Sequence, residues 1–323
     1  MNLKNSPNLL LVLVPIMIGM LMPLTLLGQK EITKTFNGIK KIKVTTASGS
    51  CIFNKSQNPT VTLKLVYTYN DDDYTPSITQ EGDELIVKEK FHSNSANGSA
   101  DWTLTVPDNL SVKFVTGSGD IEASGLAIDL NATTGSGDFT FNGVSGDLEC
   151  TTGSGDVELE NAGGSISATS GSGSFRVTKS KGNLKLTTGS GSHKLSESAA
   201  EFHVTTGSGR INGTALSLEG ASSFTTGSGT AEVQFASSPK HDVSIASGSG
   251  DAILNFNGNE INGEIVMKAS KKHGSIEAPF EFDKTEEIEH SGSDVTIKKT
   301  AVRGTGKPKI SISTGSGEAV LKK

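Results

Sequence analysis

The sequence predicts an all-β protein built as a β-solenoid, a β-helix-like stack of two-strand coils of about 18 residues each. Three observations lead to this class. A Gly-Ser-Gly hexapeptide recurs every 18 residues, apolar residues recur at the same spacing, and no apolar run of helical periodicity follows the first 28 residues. Units this short cannot bury their apolar faces alone, so neighbouring coils must stack on one another.

The hexapeptide reads Thr-Thr-Gly-Ser-Gly-Asp in its clearest copies, at 133–138 and 151–156, and a diverged copy lies at 45–50. The first five intervals between the central serines are 18 residues and the next two are 20 and 21, which indicates insertions in later coils. We attribute the glycines to sharp corners, because glycine accepts a positive φ without steric penalty. The central serines are Ser118, Ser136, Ser154, Ser172, Ser190, Ser208, Ser228, Ser249 and Ser316.

Apolar residues form columns when the sequence is read in steps of 18. Such columns begin at Ile121, Leu130 and Ala132, whereas the column that begins at Asn131 is polar. This alternation predicts strands with an aliphatic inner face and a wet outer face, each paired with its equivalent about 4.8 Å away in the next coil. His193 falls in an apolar column, and we interpret it as a partly buried, hydrogen-bonded exception.

Residues 1–28 have the pattern of a signal peptide. Lys4 precedes an apolar run without charge at 9–27, and the small residue Gly28 ends it. We predict cleavage after Gly28 and therefore an exported protein, in the periplasm, on the outer surface or outside the cell. The alternative is an uncleaved membrane anchor, since 19 apolar residues approach spanning length. After cleavage, no other segment approaches a membrane span.

The mature chain divides into a β-rich portion at 29–110 and the repeat solenoid at 111–323. The first portion has strand-like runs at 61–69 and 84–91, and we expect it to continue the solenoid and to cover the end of its core. Within the second portion, residues 251–310 depart from the repeat. A specialised site is expected there if the protein has one.

Composition excludes several classes of protein. The 323 residues include 38 Gly and carry a formal net charge of −6, and this acidic balance argues against non-specific nucleic-acid binding. Only two cysteines are present, Cys51 and Cys150, too few for a disulfide scaffold or a cysteine-built zinc site. Both have inward parity, which favours two buried thiols. A disulfide between them is the alternative, because export permits oxidation.

The run at 102–107, the segment 115–121 and the repeated Thr-Thr-Gly-Ser-Gly-Asp together resemble a bacterial adhesin family of β-strand repeats. They are similar also to the auto-transporter adhesin head domain family. The resemblance covers about residues 35–323. It implies an exported, β-helix-like protein of the bacterial cell envelope, in a family named for adhesion. The family brings no catalytic residues, so none is transferred to this chain.

Three carboxylates in one corner column are the candidate metal ligands. Asp120, Asp138 and Asp156 stand 18 residues apart, about one rung from each other in a stack. Such a ladder would repel itself or share a cation, and its oxygen atoms suit calcium. The alternative is that aspartate favours this corner and is solvated. Two of these carboxyls could also serve acid–base hydrolysis, although no Arg or Lys cluster that would hold an acidic sugar is apparent nearby.

The sequence therefore predicts a non-catalytic secreted or cell-envelope protein that presents a rigid, repetitive β surface. Many weak contacts with a glycan or a surface protein would add up on such a surface. No catalytic residue is predicted, and the only cofactor considered is calcium on the aspartate ladder. The second interpretation is a β-helix enzyme that acts on polysaccharide through stacked carboxylates.

Overall fold

The structure is a computed structural model that describes residues 28–93, 96–289 and 295–323. These residues form 29 β-strands and no helix, which confirms the predicted all-β class. The strands lie in two sheets, here sheet A and sheet B, which enclose one apolar core. The predicted signal peptide lies outside the described residues apart from Gly28. Within the described part, no helix has the length and apolarity needed to cross a membrane.

Regular repeat coils form the middle of the stack. Their strands are β8 (Ser111–Thr116), β9 (Ile121–Ser124), β10 (Asp129–Thr134), β11 (Phe139–Asn142), β12 (Ser145–Thr152), β13 (Val157–Glu160), β14 (Gly163–Ser170), β15 (Phe175–Thr178), β16 (Lys181–Thr188), β17 (His193–Ser196), β18 (Ala199–Thr206), β19 (Ile211–Leu218), β20 (Ser222–Thr226), β21 (Ala231–Phe235), β22 (Val243–Ser247) and β23 (Ala252–Asn255). Even-numbered strands belong to sheet B and odd-numbered strands to sheet A, except that the end of β19 pairs with β18 in sheet B. Equivalent strands of successive coils pair in parallel. Ile121 pairs with Phe139 and Leu130 with Leu148, so the predicted 18-residue columns are confirmed.

Spatial order departs from chain order where the stack begins. The strands there are β1 (Lys30–Phe36), β2 (Lys41–Thr45), β3 (Cys51–Lys55), β4 (Val61–Tyr67), β5 (Tyr74–Glu81), β6 (Glu84–Phe91) and β7 (Ala100–Val106). The coil of β2 and β3 lies between the coil of β6 and β7 and the first regular coil, β8 and β9. The diverged hexapeptide at 45–50 makes the corner between β2 and β3. Antiparallel strands extend both sheets outward, β4 and β1 in sheet A and β5 in sheet B.

A similar exchange of order occurs at the opposite end. The strands there are β24 (Gly263–Ser270), β25 (Ser275–Glu277), β26 (Lys284–Glu289), β27 (Val295–Arg303), β28 (Lys309–Thr314) and β29 (Glu318–Lys322). The coil of β28 and β29 lies between the coil of β22 and β23 and the coil of β24 and β25. Antiparallel β27 and β26 continue sheet B beyond β24. Residues 251–310, where a specialised site was expected, therefore build most of an end cap.

The hexapeptide glycines allow successive coils to stack closely. The prediction that they adopt a positive φ at sharp corners was wrong. From the copy at 115–120 onward, none of these paired glycines has a positive φ. A Cβ on Gly155 would instead overlap the carbonyl oxygen of Gly137 in the preceding coil, and a Cβ on Gly153 would crowd that of Gly135. Each pair of glycines is thus required because the backbones of successive coils approach too closely for any side chain.

A ladder of buried hydroxyls lies directly inside this corner. Thr152 is typical: its Oγ1 accepts the N–H of Gly155 at 3.0 Å and donates to the carbonyl oxygen of Gly137 at 3.0 Å. Each hydroxyl thereby satisfies two backbone groups that would otherwise be buried without partners, a loss of about 1–3 kcal/mol each. The same pair of bonds is made by Thr134, Thr152, Ser170, Thr188, Thr206, Thr226, Ser247 and Thr314.

Left-handed backbone occurs at the opposite corner, in the column that begins at Gly125 and Gly143. Asn161, Lys179 and Glu197 continue this column with φ of 52°, 51° and 50°. Because a Cβ is disfavoured in this conformation, the later coils carry local strain that the first two avoid.

We expect Lys179→Gly to stabilise the fold by about 1 kcal/mol, because glycine removes the penalty of the left-handed conformation. Lys185→Gly, at an exposed strand position of the same coil, should instead destabilise the fold by about 0.5–1 kcal/mol. Urea denaturation of the two variants measures both effects. A lower midpoint for Lys179→Gly would contradict the assignment of strain.

Candidate functional site

The candidate site is a shallow groove of about 570 Å³ on the outer face of sheet B. It crosses β8, β10, β12 and β14, whose outward side chains lie in register one above another. Its polar side chains come from two neighbouring columns: the polar column that contains Asn131, and the column that contains Asp129. They are Ser111, Lys113, Asp129, Asn131, Asp147, Glu149, Ser165 and Ser167.

Hydrogen bonds between rungs hold the groove side chains in place. Asn131 Nδ2 donates to Glu149 Oε2 at 2.6 Å, and the Asp147 N–H donates to Asp129 Oδ1 at 3.2 Å. The remaining carboxylate oxygens and serine hydroxyls face outward at intervals of about one rung. This arrangement offers many hydrogen-bonding groups and no aromatic platform, so it suits a ligand rich in hydroxyl or amide groups.

A ladder of outward threonines borders the groove along sheet B. Thr133 pairs with Thr151, and the column continues through Thr169, Thr187 and Thr205. Because these side chains are β-branched, they favour the strand conformation and keep this edge of the face regular.

The aspartate ladder lies at the Gly-Ser-Gly corner, away from the groove. Asp120 Oδ1 accepts the N–H of Asp138 at 2.9 Å, and Asp138 Oδ1 accepts the N–H of Asp156 at 2.7 Å. Asp156 Oδ1 in turn accepts the N–H of Ser174 at 2.7 Å. One oxygen of each exposed carboxylate therefore joins successive coils, a structural role that also explains why serine can replace aspartate farther along the column.

Among the described residues, no group of three His, Cys, Asp or Glu side chains could hold a metal ion. Calcium binding by Asp120, Asp138 and Asp156 stays a prediction, which would rest on the second oxygen of each carboxylate. The hydrolytic alternative stays a prediction as well: Asp120, Asp138 and Asp156 are exposed, and one oxygen of each already accepts a backbone N–H.

The buried titratable groups belong to the core. His193 is 1% exposed, packs edge-on against Phe175 and donates from Nε2 to the carbonyl oxygen of Thr205 at 3.0 Å. Its Nδ1 has no hydrogen-bond partner among the described residues. Cys51 and Cys150 are both buried and free, which confirms the prediction of two buried thiols rather than a disulfide. Burial raises the pKa of both thiols, so neither is activated as a nucleophile.

Glu89 is a structural residue that sequence reasoning missed. Its carboxylate accepts the N–H of Ala47 at 2.7 Å, the hydroxyl of Tyr74 at 3.2 Å and the indole N–H of Trp102 at 3.3 Å. Burial raises the pKa of Glu89, and these hydrogen bonds partly oppose that rise. The carboxylate satisfies the N–H of Ala47 at the corner between β2 and β3, because the neighbouring coil of β6 and β7 has no Gly-Ser-Gly corner that could do so. The sequence does contain a signal for this role. Glu89 stands two positions after the buried Val87 in β6, so its charged side chain points to the same, inward face of the strand.

One family model matches the chain: Toastrack DUF4097, over residues 39–263. This match confirms the resemblance drawn from the repeat. No curated protein matches the chain.

Solved structures similar to the chain include a candidate cell adhesion protein from Clostridium sporogenes ATCC 15579, with 14% identity, 91% of this chain and 99% of that chain covered, and a TM-score of 0.22. A candidate lipid binding protein from Parabacteroides distasonis ATCC 8503 has 12% identity, coverage of 92% and 97%, and a TM-score of 0.40. A candidate adhesin from Bacteroides fragilis NCTC 9343 has 12% identity, coverage of 91% and 96%, and a TM-score of 0.30. Likenesses at this level carry no argument about ligands.

Proposed function

We propose that this chain, which belongs to the Toastrack DUF4097 family, is an exported, non-catalytic cell-envelope or secreted protein that binds glycan or protein through the outer face of sheet B. The observation that carries the proposal is the registered polar groove across β8, β10, β12 and β14. Its hydrogen-bonding groups repeat at the rung spacing, and they are held by a rigid core rather than by loops. A repetitive ligand can therefore make several equivalent weak contacts at once.

Export is part of the proposal and is supported by the signal-peptide pattern at 1–28. The absence of a catalytic role is supported by the site itself. The groove is open, the carboxylates of Asp129 and Glu149 accept hydrogen bonds between rungs, and the described residues that line it include no nucleophile paired with a base.

The test uses the full-length chain, expressed with its own leader and recovered from the non-cytoplasmic fraction. Mass spectrometry should find a mature start at Gln29. Binding is then measured on arrays of envelope glycans and surface proteins. Ser167→Trp places an indole in the groove and should weaken binding about tenfold or more by exclusion of the ligand. Thr33→Trp, at an exposed position of β1 on sheet A, is the matched control and should bind like the unaltered chain.

Three outcomes would overturn the proposal. These are a cytoplasmic protein that starts at Met1, equal binding by the Ser167→Trp variant and the unaltered chain, and release of shorter sugars from any arrayed glycan. The last outcome would favour the polysaccharide-cleaving enzyme instead.

A further inference from the structure

Charge is segregated along the stack. Residues 114–160 carry nine carboxylates and no Lys, Arg or His. Residues 161–196 carry five cations and no carboxylate; the cations are Arg176, Lys179, Lys181, Lys185 and Lys194. The sign of the surface therefore changes between one coil and the next.

On sheet A the change occurs at the same rung in two neighbouring columns. One column runs from Glu158 to Arg176 to Lys194, which are registered partners in β13, β15 and β17. The corner column beside it changes from Asp156 to Ser174 and then Ser192. The sequence alone had not indicated a cationic cluster, because its members are 18 residues apart and meet only when the coils stack.

Arg176 and Lys194 lie one rung apart with like charge, an arrangement that costs free energy unless a counter-charge is supplied. Arg176 Nε lies 3.7 Å from Glu158 Oε1, a long contact between side chains that are more than half exposed. Lys194 has no ion pair within the described residues. Little of this positive charge is therefore neutralised by the fold.

The serines beside these cations have hydroxyl groups that can donate hydrogen bonds to a ligand. Ser174 Oγ accepts the N–H of Ser192 at 3.2 Å, and Ser192 Oγ accepts the N–H of Arg210 at 3.1 Å. Since each oxygen already accepts a backbone N–H, each hydroxyl hydrogen is left to donate outward. Arg210 adds a third cation one rung beyond Ser192.

Arg176, Lys194 and the two serines line a depression of about 350 Å³, large enough for one sugar residue. Two cations and two hydroxyl donors form one side of it, and Asp156 and Glu158 form the other. The acidic side repels an anion, so a ligand must place its charged group over Arg176 and Lys194 and its neutral groups toward the carboxylates. The depression therefore selects a sugar residue that carries its carboxylate on one side of a hydroxyl-rich ring.

We propose that the depression around Arg176, Lys194, Ser174 and Ser192 is a subsite for the carboxylate of an acidic glycan. This inference rests on the proposed function in that the protein binds glycans, and it adds a second binding site with its own class of ligand. It places the charged subsite on sheet A, separate from the groove on sheet B.

The experiment titrates the exported full-length chain with tetragalacturonate and with its uncharged methyl ester, by calorimetry in low salt. The acid should bind and the ester should not, and binding should weaken as salt is raised. Arg176→Gln combined with Lys194→Gln should weaken binding of the acid about tenfold or more. The matched control, Lys179→Gln with Lys181→Gln, removes the same charge at the other end of β15, where the chain turns into β16. It should bind within about twofold of the unaltered chain.

The proposal is overturned if the acid and the ester bind alike, if neither binds, or if the control variant loses as much affinity as the test variant. Inorganic phosphate and sulfate are titrated in parallel. Competition by either at the concentrations that saturate tetragalacturonate would identify a simple anion site and also overturn the glycan assignment. The Ser167→Trp variant separates the two proposals, since it should bind tetragalacturonate normally while losing array ligands held by the groove on sheet B.

Discussion

Replacement of Gly155 by alanine is expected to destabilise the fold by about 3 kcal/mol or more. The added methyl group would overlap the carbonyl oxygen of Gly137, a backbone atom that cannot rotate away. Relief would require the two coils to separate, which would also lengthen the bonds that the Thr152 hydroxyl makes at the same corner. Urea denaturation or the yield of soluble protein would measure the effect.

Ser154→Ala is the matched control for this prediction. Ser154 lies between the two corner glycines, is exposed, and should tolerate the change within about 0.5 kcal/mol. If Gly155→Ala were as stable as Ser154→Ala, the coils would have room for a side chain, and the close-stacking explanation of the repeat would be wrong.

Acid is expected to weaken the fold through His193. Burial lowers the pKa of His193 from 6.5 to about 4, opposed only in part by its hydrogen bond to Thr205. The unfolded chain takes up this proton as the pH falls through 6.5, whereas the folded chain takes it up only near pH 4. Stability from this residue is therefore complete above pH 6.5 and is lost between pH 6.5 and 4, with a loss of about 2 kcal/mol by pH 5.

The measurement compares unfolding free energies at pH 7.5 and pH 5 for the unaltered chain and for His193→Phe. Phenylalanine occurs elsewhere in this column at Phe139 and Phe175, so the variant should fold and should lose about 2 kcal/mol less on acidification. The control is Leu195→Ile, which alters packing in the same strand without removing a titratable group and should keep the original pH dependence. Equal pH dependence in His193→Phe and the unaltered chain would contradict the prediction.

Much of the regular stack could be predicted because its information is local and repeated. Columns that begin at Ile121 and Leu130 indicate both the strand period and the register, since an error of one residue would place Asn131 inside the core. The buried hydroxyl ladder also follows from parity at Thr134 and Thr152. The reason for the corner glycines could not be predicted, because it depends on the distance between backbones rather than on the conformation of one residue.

The exchanged coil order at the two ends could not be predicted either. Pairing of β2 with β8 and of β22 with β28 joins segments about 60–70 residues apart. Each of these strands leads into a copy of the hexapeptide, but copies so far apart in the chain do not indicate that their coils are neighbours. The cationic pair Arg176 and Lys194 was missed for a different reason. Its register was already implied by the 18-residue period, but charge had been considered along the chain rather than across the coils.

The position of β28 and β29 has a consequence for how the protein is made. As the chain emerges during synthesis, coils can stack one after another only as far as β22 and β23, whose outer edges then stay open. Residues 263–303 cannot cover those edges, because they join the stack through β28 and β29. The solenoid is therefore complete only after residues 309–322 have been made, because β28 and β29 insert between the coil of β22 and β23 and the coil of β24 and β25. Until then the open edges are a place where two nascent chains could pair with each other.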